Sequence, residues 1–283
     1  MGNEAGGGPG ARGGNDDALE RAVAALRNNL PKDAELILAD VLRRNPQNSR
    51  ALYALGCALL SQGRAQDALA PLQAAARIRH DPEIDLRLAT ALHQTGRSAD
   101  ALSRLKRVVK RHPSFGPGFN ELGRLLSHMD RHDEAIEVYR RGVEVEPMMP
   151  GLAIELGYAL LNRRDIAGAK AAFARALDIS ANSPDALFGM AKVYQEVGEN
   201  EAAAAFFRRY LAFRPQDGAA WITFGHCLLE LGQVDDGFQC FRTAGHGGPK
   251  RFARALSALS ASSHGRFWLK PTAAMRYFQG NSA

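Results

Sequence analysis

Cysteine is nearly absent. Cys57, Cys227 and Cys240 are the only three in 283 residues, an odd number at spacings that match no metal-ligand pattern. That argues against a disulfide framework and reads as small buried thiols in a reduced, cytoplasmic protein. Long apolar runs are missing too, since none approaches the roughly 18 residues that a membrane-spanning helix needs. The opening MGNEAGGGPGARGGNDD has no apolar centre, so it is not a secretory signal, and Gly6 stands where an N-myristoylation motif wants Ser or Thr. Glycine leaves this backbone unrestrained, and residues 1–14 are expected to form a disordered head.

Catalytic groups are as sparse. No glycine loop leads into Lys-Ser or Lys-Thr, so no phosphate cradle of that kind is encoded. His128 and His132 have the i, i+4 spacing of two zinc ligands on one helix, but they straddle a break at Asp130-Arg131 and need not share a face. Glu144 and Glu146 are two apart and would point away from each other on a helix. The chain is therefore expected to be non-enzymatic, with no cofactor and no metal.

What the sequence has in abundance is repetition. In Gly116 to Pro147, Phe119, Leu122 and Leu126 fall on one helical face, the pattern breaks at Asp130-Arg131-His132, and Ala135, Ile136, Tyr139 and Val143 form a second face. This predicts a helix, a tight turn and a second helix, stopped at Pro147 because proline has no N–H to donate and its ring clashes. A small residue recurs in the first helix as Ala22, Gly56, Ala89, Gly123, Gly157, Ala191 and Gly225, in steps of 34, 33, 34, 34, 34 and 34. A second keeps step as Ala34, Ala68, Ala101, Ala135, Ala169, Ala203 and Gly237, and a bulky one as Leu38, Leu72, Leu105, Tyr139, Phe173, Phe207 and Phe241.

This period, with small, bulky and proline residues at these offsets, resembles the tetratricopeptide repeat family over roughly Asp16 to Pro249. The resemblance implies an all-α, right-handed α-solenoid of about seven helix-turn-helix repeats, at about 15–48, 49–81, 82–115, 116–149, 150–183, 184–217 and 218–249. Residues 250–283 would follow as a basic, aromatic C-terminal cap or tail. Arg21 stands where later repeats carry Leu55, Leu88 or Leu122, which reads as an N-terminal cap facing water.

The resemblance further implies that the first helix of each pair lines an inner wall used to bind peptides. On that wall the expected partner-binding positions are Tyr53, Leu86, His93, Asn120, Arg124, Tyr158, Phe188, Lys192, Ile222 and His226. Their mixture of apolar, aromatic and basic groups suits other proteins or peptides with hydrophobic and acidic anchors. The carboxylate clamp of tetratricopeptide co-chaperones is not matched, because Tyr53, Cys57, Arg87, Pro117 and Glu121 occupy the corresponding places. No ladder of inward asparagines appears either, so the likeness to the repeat arm of O-linked sugar transferases stops at the fold.

Charge is distributed unevenly. The chain has 36 Lys and Arg against 30 Asp and Glu, and the last 35 residues hold Lys250, Arg251, Arg254, Arg266, Lys270 and Arg276 with no acid. The body is then neutral as a whole, and the tail, through Arg251, Arg254, Arg266, Trp268, Lys270 and Arg276, is the candidate docking segment. Nucleic acid is disfavoured on the ground that a neutral body offers no basic stripe, and a membrane surface is allowed but not preferred. The leading reading is an adaptor or assembly scaffold. The alternatives are the repeat arm of a multi-component sulfo- or glycosyltransferase system and a membrane-surface docking protein.

Overall fold

The computed structural model describes residues 10–246 and 249–261, which form fifteen α-helices and, among the described residues, no strand. Two compact units divide the chain at Glu146 and Pro147. The first holds α1 (Gly10–Arg27), α2 (Pro31–Arg44), α3 (Ser49–Ser61), α4 (Ala65–Ile78), α5 (Pro82–Gln94), α6 (Ser98–Arg111), α7 (Gly116–His128) and α8 (His132–Val145). The second holds α9 (Pro150–Asn162), α10 (Ile166–Ile179), α11 (Pro184–Glu196), α12 (Asn200–Phe213), α13 (Gly218–Glu230), α14 (Val234–Gly245) and α15 (Pro249–Ala261). Within each unit consecutive helices pair as hairpins, and each hairpin packs on the next.

α1 begins at Gly10, inside the stretch expected to be without structure. Once a helix exists, each further residue gains a hydrogen bond for one residue fixed, so the turns after Asp16 extend backwards cheaply. Residues 1–9 of the expected head lie outside the described residues.

The turn inside every hairpin is built the same way. Asn29, Gly63, Gly96, Asp130, Arg164, Gly198 and Gly232 all have positive φ, between 57° and 81°, in the register of the sequence repeat. The next residue donates its N–H to the carbonyl five back: Leu30 to Ala25, Arg64 to Leu59, Arg97 to Leu92, Arg131 to Leu126, Asp165 to Leu160, Glu199 to Tyr194 and Gln233 to Leu228, at 2.8–2.9 Å. This left-handed cap satisfies carbonyls that a helix end leaves open and reverses the chain in three residues. Glycine takes the conformation without cost, and Asn and Asp tolerate it; Arg164 takes it under strain.

Inside the hairpin the small and bulky positions meet. A methyl group placed on Gly123 would lie 2.4 Å from the Tyr139 ring, one on Gly157 2.7 Å from Phe173 and one on Gly225 2.8 Å from Phe241. Leu38, Leu72, Tyr139, Phe173, Phe207 and Phe241 are all at most 1% exposed. Removing the side chain from the first helix thus makes room for a buried ring on the second. The core of each unit is a file of such contacts, one per hairpin, with Leu187, Phe224 and Cys227 filling between α11, α12 and α13.

Beyond the seventh hairpin, α15 lies against α14, burying Ala255 completely and packing Leu256 and Ala258 on Phe238 and Phe241. It covers the apolar surface that the last hairpin would otherwise present to water.

Candidate functional site

In the first unit the first helices carry two clefts. One, of about 350 Å³, is lined by α1, α3 and the start of α5, with Leu19, Val23, Leu26, Ala54 and Ile84 as apolar wall and Tyr53 within it. Arg50, Arg79, Asp81 and Glu83 form its polar border. The positive charge of the nearby Arg87 favours the ionised form of the Tyr53 hydroxyl, yet burial is the larger influence and pushes that hydroxyl up to about 12. Burial likewise raises the neighbouring Cys57 thiol, so it is not a thiolate at neutral pH.

The second cleft, of about 260 Å³, lies between α5 and α7 and brings together two expected residues, His93 and Arg124, with Thr90, Glu121 and His128. Arg124 donates to Glu121 at 3.1 Å. His93 Nδ1 lies 2.9 Å from Ser98 Oγ, and its ring centroid is 5.5 Å from that of His128. His128 therefore faces His93 across the two helices, while His132, on the far side of the turn, lies 3.8 Å from Asp130. Asn120 is half-buried on α7, and its amide oxygen is buried without a hydrogen-bond partner, an acceptor that an incoming N–H would satisfy.

Leu86 corrects the expected wall. It is only 6% exposed, because α5 packs against both α3 and α7 and a leucine has no polar tip to carry into water. The exposed group next to it is Arg87.

In the second unit several expected positions fasten one element to another. The Tyr158 hydroxyl donates to the Asp185 carbonyl at 2.8 Å, joining α9 to α11, and its ring stands edge-on to Phe173 at 5.0 Å. Phe188 packs 5.0 Å from Tyr210 and 5.9 Å from Phe207. Lys192 donates to Gln195 at 2.9 Å. The His226 ring stands edge-on to Phe241 at 5.1 Å, and burial lowers its pKa, with Glu230 opposing weakly. Ile222 lines a cleft of about 240 Å³ with Asp217, Arg251 and Arg254, which joins an expected wall residue to two expected tail residues. Arg266, Trp268, Lys270 and Arg276 lie outside the described residues.

Models of the tetratricopeptide repeat match residues 19–82 and 120–184 and residues 59–117 and 160–221, most of the chain between them. The chain belongs to the tetratricopeptide repeat family. Among characterised proteins, it is 30% identical over 117 residues to small glutamine-rich tetratricopeptide repeat-containing protein 2 of Mycosarcoma maydis, covering 41% of this chain and 31% of that one. It is 27% identical over 247 residues to protein FlbA of Caulobacter vibrioides, covering 84% of this chain and 40% of that one. The chain thus spans only 31% and 40% of these two relatives' lengths. The solved structure of PilF from Pseudomonas aeruginosa superposes with a TM-score of 0.62 at 16% identity, over 76% of this chain and 97% of PilF, a likeness of fold alone.

Placed on the tetratricopeptide frame, these two clefts lie on first helices. Of the residues lining these clefts, the sequence period points to Tyr53, His93 and Arg124 but not to Val23 and Leu26, which belong to the atypical first repeat, nor to His128, whose i, i+4 neighbour His132 sits beyond the turn. The i, i+3 spacing of Val23 and Leu26 was the available signal.

Proposed function

We propose that this chain is a non-catalytic scaffold that seats partner polypeptides along the first-helix face of its first unit. A partner's apolar anchor enters the cleft beside Tyr53, and an acidic group meets Arg124 in the next cleft. The observation that carries this reading is the 350 Å³ cleft between α1, α3 and α5, apolar at its base and charged at its border, the anatomy of a peptide anchor pocket. The thiols support a non-catalytic role. Burial holds Cys227 at about 11 and Cys240 at about 12, far from a nucleophile's range. Among the described residues no helix is long and apolar enough to cross a membrane.

The test is to select peptides from a displayed library on the full chain and measure their affinity for Val23→Glu and Arg124→Glu. Burying a carboxylate in the apolar cleft should weaken binding at least about tenfold, and Arg124→Glu should weaken only peptides with acidic anchors. Selected peptides that bind both variants as well as the parent chain would overturn the assignment.

A further inference from the structure

The largest concentration of charge on the first unit lies away from those clefts. Residues 77–112 carry nine Lys or Arg and four Asp or Glu, and α6 alone contributes Arg104, Lys106, Arg107, Lys110 and Arg111 against Asp100. A neutral body therefore does contain a basic stripe, which averaging over the chain concealed. Around it opens a cleft of about 540 Å³, walled chiefly by the second helices α4 and α6 and bordered by Arg77, Arg104, Arg107 and Arg111. His80 and His112 line the same cleft.

Only Arg104 is neutralised there, by Asp85. Arg77, Arg107 and Arg111 make no ion pair among the described residues, and all three are exposed. Helix dipoles account for Arg77 and Arg111, each in the last turn of its helix. They do not account for Arg107, one turn earlier, or for three like charges held around one cavity, an arrangement that an anion would relieve.

We propose that this cleft binds an acidic polypeptide segment, a second partner site independent of the first-helix clefts. Arg107 and Arg111, the two α6 arginines of the cleft without an ion pair among the described residues, stand one turn apart, about 6 Å at 1.5 Å per residue. An extended chain advances about 6.7 Å for every two residues, so carboxylates at alternate positions match the step from Arg107 to Arg111, with Arg77 of α4 on the same cleft. A single phosphate would leave most of the 540 Å³ cleft unfilled. Nucleic acid is disfavoured because the lining contains no Phe, Tyr or Trp on which a base could stack.

The test uses the full chain and a fluorescent ten-residue peptide of alternating Glu and Ser, followed by anisotropy at several salt concentrations. Binding should saturate, weaken with salt, and fall at least about tenfold in Arg107→Glu with Arg111→Glu. It should survive in Arg107→Lys with Arg111→Lys, which keeps the charge, and in Val23→Glu, which disables only the other site. Arg77→Glu, on a different helix, should weaken binding too, and gives a second reading should the double reversal fold poorly. No saturable binding of the peptide, equal binding by the reversed variants, or tighter binding of inorganic phosphate or a single-stranded oligonucleotide through the same arginines would overturn the proposal.

Discussion

Replacing Gly123 with alanine sets two known effects against each other. In an exposed helix the change is stabilising by about 1 kcal/mol, because glycine loses more backbone freedom on folding. Here the new methyl group would lie 2.4, 2.6 and 2.7 Å from three atoms of the Tyr139 ring. That ring is 1% exposed and has no open side to turn towards. Overfilling a packed core costs about 1–3 kcal/mol, and three contacts this short belong in the upper part of that range. The net expectation is a destabilisation of about 1–2 kcal/mol, or about 2–6 °C in Tm. The chain itself supplies the remedy, since Ala22 faces Leu38 and Ala89 faces Leu105 in the same register. Gly123→Ala combined with Tyr139→Leu should therefore be less destabilised than the sum of the single changes by at least about 1 kcal/mol. Urea unfolding followed by circular dichroism measures the midpoints, and hydrogen exchange over α7 and α8 shows whether the loss is local. A Gly123→Ala chain that melts above the parent would refute the small-on-bulky account of the hairpin.

Arg164 occupies the left-handed turn position with φ 62°, so Arg164→Gly should raise Tm by about 2–3 °C through relief of about 1 kcal/mol of backbone strain. The lost contact with Glu196, 3.3 Å away with the arginine 83% exposed, offsets little of it. Gly63→Ala, where the added methyl meets nothing within 4 Å but φ is 74°, should lower Tm by a similar amount; if neither changes, the turn is not strained. His226 has a lowered pKa when folded, so the unfolded chain binds the proton first and stability should fall as pH drops below 6.5, down to the folded value. His226→Phe keeps a ring on Phe241 and should flatten that part of a Tm-versus-pH series. Glu35, lowered by hydrogen bonds from Gln62 and Arg64, loses its stabilising contribution separately, at pH below 4.5. An unchanged slope between pH 7.5 and 5.5 in His226→Phe would rule out the histidine as its source.

Sequence alone determined the hairpins, their number and their internal pairing, because each depends on residues at most a few dozen positions apart and leaves a period to count. Gly123 opposite Tyr139 and the break before His132 are of this kind. Which wall positions stay open was decided by neighbouring hairpins. Leu86 has the spacing of Tyr53 and Asn120 but sinks between α3 and α7, and Tyr158 has the spacing of a groove residue but is tied to Asp185. The basic cleft shows the same limit for charge. A net balance sums over the whole chain, whereas an electrostatic field depends on distance, and only folding brings Arg77 of α4 to the same cleft as Arg107 and Arg111 of α6.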